Sequence, residues 1–247
     1  NEEQQMLRDA ARDFLSERAP ISHLREIRDS GNKLGLSREL WAEMVEMGWA
    51  AILVPEEHGG LGFGYSGLGL ILEESGRTLT PSPLLGTALT GAAALLIGGS
   101  PEQKAAVLPA LAAGERILSL ACDETSCHQP ERVATRAESH GDGYRLNGAK
   151  TAVIDGAAAD TFIVSSATRD GISLFLVPAA AAGVTVEPYP ALDICVAATV
   201  TFEQVDLPAD ALLGQLHQGR TLLDRILDTA RIGASAELLG IAQEAFW

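Results

Sequence analysis

Apolar and polar positions change their period twice along the chain. Met6, Leu7, Ala10, Ala11, Phe14 and Leu15 repeat at helical spacing, which predicts a helix over 2–19 that ends at Pro20. Asn1 with Gln4 reads as a capping box. Residues 21–36 are polar and hold Gly31 and Gly35, so a loop or a short broken helix fits. Ser37 caps a helix through Met47, with Gly48 as its stop. A short apolar run, 50–54, leads into Pro55–Gly64, where four glycines and one proline mark a tight connection. Further helices are expected over 65–76, over the Ala- and Leu-rich stretch 84–98, and over 101–113. The second is apolar nearly all round and so belongs inside. The third starts at Ser100-Pro101 and ends at Gly114.

After residue 115 the period shortens. Short β-branched or alternating runs appear at 117–121, 133–137, 144–146, 151–154, 161–165, 172–177, 184–186 and 198–202. Asp142-Gly143, Asn147-Gly148 and Asp170-Gly171 read as turns between them. No stretch of crossover-helix length separates these strands, which argues against a parallel dinucleotide-binding sheet. From Leu216 the helical period returns and runs to Trp247. Leu223, Ile226, Leu227, Ala230, Ala234, Leu238, Ile241 and Ala242 form one stripe, and Ile232 and Leu239 lie off it. The expected class is α+β. It comprises an α-helical domain (1–115), an antiparallel β-barrel or sandwich domain (116–214) and the first helix of a further helical domain (215–247). A start without Met and a stop inside a helical pattern lead us to expect part of a longer protein.

Charge narrows the partners. The 247 residues carry 18 Lys+Arg against 33 Asp+Glu, a formal charge of −15, which repels nucleic acid and anionic membrane. The longest apolar run is too short to span a bilayer, and the first residues lack a signal-peptide pattern. A cytoplasmic location is expected. Cys122, Cys127 and Cys195 lack the spacing of a disulfide framework or zinc site. His58 has no second ligand at metal spacing and reads as a loop histidine, so no metal site is expected.

Candidate chemistry gathers in Leu120–Gly156, where small and polar residues interrupt apolar segments. The words along the chain carry a resemblance. LWAEMVEMGWAAILVPEEHGGLGFG, LILEESGRTLTPSPL, QKAAVLPALAAGE, GDGYRLNGAKTAVIDGAAADTFIV and VTFEQVDLPADALLG, in this order, resemble the acyl-CoA dehydrogenase family. VIDG most resembles the small subunits of its heteromeric members, such as pimeloyl-CoA and steroid side-chain enzymes.

The resemblance implies FAD, an acyl-CoA substrate, and α,β-dehydrogenation in which a glutamate removes the α-proton and hydride passes to the flavin. It places Leu120, Cys122, Asp123, Ser126, Ala152 and Ile154 at flavin-contacting positions, and Asp228 and Arg231 near the substrate. It also exposes departures. Asp123 stands where a neutral hydroxyl donor is usual, and a carboxylate is an acceptor that repels an anionic flavin. Ala152 and Ile154 stand where an aromatic and a hydroxyl are usual. Ala230 occupies one family position for the catalytic base, so no catalytic residue is nominated among the 247. Glu237 and Glu244 do not match. Asp228 and Arg231, three apart, also fit a plain surface ion pair. The expected activity is that of an acyl-CoA dehydrogenase with a degenerate flavin site, or of a non-catalytic or half-site partner subunit. The expected assembly is a homodimer, a homotetramer or a heterotetramer with a second subunit.

Overall fold

A computed structural model describes residues 1–191 and 195–246. Its first part is helical: α1 (Glu2–Arg18), α2 (Ile21–Asp29), α3 (Arg38–Glu46), α4 (Gly64–Thr78), a π-helical run (Leu84–Gly91) continuing into α5 (Ala92–Gly98), and α6 (Pro101–Ala112). The expected caps form. Asn1 and Gln4 make a reciprocal box, Ser37 accepts from the Leu40 N–H, and Ser100 pairs with Gln103. The polar stretch 21–36 contains a real helix, α2, because Leu24 and Ile27 share a buried face. The 84–98 stretch is helical and buried, but its first half widens into π geometry.

One eight-stranded sheet follows: β1 (Leu118–Ala121), β2 (Arg136–His140), β3 (Gly143–Ile154), β4 (Thr161–Thr168), β5 (Gly171–Pro178), β6 (Val184–Pro190), β7 (Val196–Leu207) and β8 (Leu212–Leu213). The strand order is β6-β7-β3-β2-β4-β5-β8, with β1 on β4. Most pairs are antiparallel, but β1 and β2 both run parallel to β4. Two strand expectations need correction. Asn147-Gly148 is not a turn: β3 runs straight through it with a register shift. A β-carbon on Gly148 would stand 2.6 Å from Thr135, so glycine serves close approach here. β2 starts at Arg136 rather than Val133, because the N–H groups of Ala134 and Thr135 are drawn to the Glu124 carboxylate.

Helix α7 (Gly219–Phe246) closes the arrangement against α4 and the π-helical run. Leu223, Ile226 and Leu227 are buried as the stripe requires, and Ile232 and Leu239 are exposed. The stripe fails further on, where Leu238 and Ile241 are exposed and Gly233 and Gly240 take the buried side. The cause is a close helix crossing. A β-carbon on Gly240 would stand 1.8 Å from the Glu73 carbonyl, and one on Gly76 would stand 2.0 Å from that of Glu237. Trp247, the last residue of the expected helix, lies outside the described residues.

A polar network the sequence reading did not anticipate ties α1, α4 and α7. Arg12 grips the buried Glu74 through two hydrogen bonds, of 3.1 and 2.8 Å. Arg8 donates to Glu73 at 3.0 Å, and Gln243 donates to the same carboxylate at 2.9 Å. No described helix is long and apolar enough to cross a membrane.

Candidate functional site

Strand β1 delivers its last residues to a loop that two adjacent acids hold from opposite sides. Successive residues of an extended chain point to opposite faces. Asp123 therefore faces the loop tip, where its Oδ1 accepts the Gln129 N–H at 2.9 Å and its Oδ2 the His128 Nδ1 at 2.8 Å. Glu124 faces the sheet and accepts the N–H groups of Ala134 and Thr135 at 2.6 and 2.9 Å. It also accepts a 2.7 Å bond from Lys150, which is fully buried and donates to Ser165 Oγ at 3.0 Å. Burial pushes the Glu124 carboxyl up, but Lys150 and the two backbone donors outweigh it and hold it below the usual carboxylate range. Burial draws the Lys150 ammonium down, against the pull of Glu124. The Cys122 thiol, buried beside Asp123, is pushed up to about 12 and is inert at neutral pH.

The far end of β3 forms the facing wall. The Thr151 N–H donates to the Asp123 carbonyl at 2.9 Å, which docks strand on loop. A register shift between Lys150 and Val153 puts Ala152 in left-handed backbone, φ 52°, with its N–H on the Tyr189 hydroxyl at 3.0 Å. The bulge turns Ala152 and Ile154 outward, and Ile154 is 59% exposed. The third wall is the π-helical run, positioned by Thr87, whose hydroxyl donates to the Leu118 carbonyl at 3.0 Å. Helix α7 is the fourth.

These walls border a mostly apolar, open-sided cavity of about 250 Å³. Of the residues expected at the site, Leu120, Cys122, Asp123, Ala152, Ile154 and Arg231 line it. Ser126 does not: it lies on the exposed loop tip. Asp228 does not line it either. It is exposed and pairs with Arg231 at 2.6 Å, and Arg231 belongs both to the pair and to the cavity lining. The sequence reading missed Leu85, Gly86 and Thr90 on the π-helical run, and Leu227 and Ala234 on α7, because apolar and small residues carry no chemical mark. It also missed His128, whose signal was an acid five residues earlier.

A larger hollow, about 520 Å³, lies beside β2, with Arg136, Arg169 and His217 on its walls. It is set apart from the acid loop and the β3 bulge, so volume alone does not locate the site. Among the described residues no group of three His, Cys, Asp or Glu side chains could hold a metal.

The lining carries few of the groups that a flavin ring would use. Ala152 and Ile154 offer neither an aromatic face nor a hydroxyl. Asp123, an acceptor, already receives bonds from His128 and Gln129 and offers nothing to a flavin carbonyl.

Residues 1–115 match the acyl-CoA dehydrogenase N-terminal domain and residues 121–205 its middle domain. A probable acyl-CoA dehydrogenase of Bacillus subtilis, YngJ, is 33% identical over 98% of this chain and 66% of its own length. An acyl-CoA dehydrogenase of Bacillus anthracis solved with FAD superposes with a TM-score of 0.88 at 26% identity, over 99% of this chain and 44% of that one. The ChsE4-ChsE5 complex of Mycobacterium tuberculosis gives 0.84 at 26% identity, over 99% of this chain and 64% of that one. This chain belongs to the acyl-CoA dehydrogenase family. It spans about two thirds of the length of curated relatives it matches.

Proposed function

We propose that the chain supplies the acyl-binding cavity of an acyl-CoA dehydrogenase whose flavin face, on this chain, is degenerate. The observation that carries this is the Asp123–His128–Gln129 closure, which spends the position where a flavin needs a donor. The reaction class is α,β-dehydrogenation of an acyl thioester, for which FAD supplies the hydride acceptor. The chain's own contribution is binding. Leu85, Leu120 and Leu227 exclude water from the acyl group, and Arg231 offers a cation at the wall. Ala230, on the same wall, cannot accept the α-proton, so the base comes from outside these residues.

A half-site role beside a second dehydrogenase subunit is the reading most favoured by likeness to a two-chain complex. An independent dehydrogenase is the other reading, favoured by likeness to an FAD-bound relative. The test is to co-purify the protein with a second subunit of the family and measure flavin and acyl-CoA binding together. Half-occupied flavin with acyl-CoA bound supports the half-site role. Full flavin occupancy on every chain contradicts it, and failure to bind any acyl-CoA contradicts the cavity's assignment.

A further inference from the structure

One pair on the cavity wall carries chemistry that acyl binding leaves unused. His128 and Asp123 both line the cavity, and the His128 Nδ1 lies 2.8 Å from the Asp123 Oδ2. Loop closure does not require this bond. The Gln129 N–H on the Asp123 Oδ1, at 2.9 Å, already closes the loop, and the Thr125 hydroxyl donates to the Cys127 carbonyl at 2.9 Å within it. The Asp123 side chain is largely covered. That of His128 is 53% exposed, so water reaches the imidazole at the open side of the cavity.

The carboxylate sets the role of the ring. Holding the N–H at Nδ1 leaves Nε2 as the lone-pair nitrogen of the neutral imidazole. Among the described residues none bonds to Nε2. An imidazole oriented by a carboxylate in this way serves as a general base. The other candidate nucleophiles of the wall are spent. The Cys122 thiol is inert at neutral pH, and the Thr90 hydroxyl is tied to the Leu85 carbonyl at 2.8 Å. Water is therefore the nucleophile this base can activate. Arg231 stands on another wall of the same cavity. Its Nη1 donates to Asp228 at 2.6 Å, and no described residue takes a bond from its other N–H groups. A guanidinium has donors to spare for an oxyanion.

We propose that His128, held by Asp123, activates water to hydrolyse an acyl thioester bound in the cavity. The inference rests on the reading of the cavity as an acyl site. It adds an activity that needs neither flavin nor the missing base of dehydrogenation. His128 Nε2 takes a proton from water, and the water oxygen bonds to the thioester carbonyl carbon. The carbonyl electrons move to the oxygen, which Arg231 stabilises. The C–S bond then breaks, and His128 returns the proton to the departing thiolate. The products are a carboxylic acid and a free thiol, and nothing is oxidised or reduced. Asp123 is a positioning residue in this scheme. The bland alternative is a contact that merely pins the loop tip.

The test incubates the full chain, in its assembly, with straight-chain acyl-CoA thioesters and follows free CoA by chromatography. Calorimetry with the matching thioether, which cannot be hydrolysed, measures binding separately. Release of CoA faster than without protein is the expected result. His128→Gln should lower kcat about a hundred-fold or more while the thioether still binds, which also checks that this exposed substitution keeps the fold. Asp123→Asn should lower kcat about ten-fold or more and leave KM near its original value. A loop-pinning role alone would raise KM and spare kcat, and that pattern in both variants overturns the inference. Thioether binding without CoA release overturns it and leaves the acyl cavity standing. Release that survives both substitutions also overturns it. Neither binding nor release overturns the cavity's assignment and the inference together.

Discussion

The ammonium of Lys150 lies 2.7 Å from the Glu124 carboxylate, and the lysine is fully buried. The pair joins β3 to the loop that follows β1, and so sets the distance between two walls of the cavity.

Breaking that pair from either side has unequal consequences. Glu124→Ala strands a buried ammonium and releases two backbone N–H groups, and about 3–5 kcal/mol of stability should be lost. Lys150→Met leaves Glu124 with its two backbone donors and should cost less. Urea denaturation of both variants measures the order. The pH dependence carries a sign. Because the folded Glu124 pKa is depressed, its contribution is present above the ordinary glutamate pKa and lost as pH falls through the folded value. Glu124→Gln should flatten the acid limb of the stability curve, and an unchanged limb would contradict this.

Asp155 and Glu237 have the opposite sign. Their folded pKa values are raised to about 7, so between the ordinary carboxylate range and about pH 7 the folded state binds more protons than the unfolded one. Stability from these groups is present in acid and lost as pH rises through that window. The double variant Asp155→Asn, Glu237→Gln should lose this slope, seen as a difference in Tm between about pH 4.5 and 7.5. Parallel curves for the variant and the unaltered protein would contradict the assignment.

Two glycines of α4 and α7 should answer alanine in opposite directions. Gly240→Ala drives a β-carbon to 1.8 Å from the Glu73 carbonyl oxygen, so the helices must part, and about 2 kcal/mol or more should be lost. Gly69 has open space around its β-carbon position, so Gly69→Ala should stabilise α4 by roughly 0.5–1 kcal/mol. Thermal denaturation distinguishes the two.

Asp228 and Arg231 should separate in function. Both ends of their ion pair are exposed, so Asp228→Ala should change stability by less than about 0.5 kcal/mol. Arg231 also lines the cavity, so Arg231→Ala should weaken acyl-CoA binding in calorimetry while Asp228→Ala leaves it near the original value.

The helical part was legible because its signals are local. Asn1, Ser37, Ser100 and Gly114 mark ends that depend on neighbours a few residues away. The words that carry the family were legible for the same reason. What escaped depends on contacts across long stretches of chain. Gly148 reads as a turn until Thr135 is seen against it. Leu238 and Ile241 read as core until Gly240 is seen to take the contact with α4. Ser126 fits the family's position but stands on an exposed tip, because the Asp123 carboxylate closes the loop beneath it. Asp155 and Glu237 are 82 positions apart in sequence, which gives no sign that the charge of one is felt by the other.

We propose that Asp123, Ala152 and Ile154 leave this chain without a working flavin face. Restoring the two missing groups should not suffice. Ala152→Trp meets a left-handed backbone, and Asp123 stays tied to His128 even with Ile154→Thr added. The direct measurement is the flavin absorbance of the protein purified alone, expressed as flavin per chain. Far less than one flavin per chain is the expected result, for the unaltered protein and for the double variant. One tightly bound flavin per chain in the unaltered protein would contradict the account.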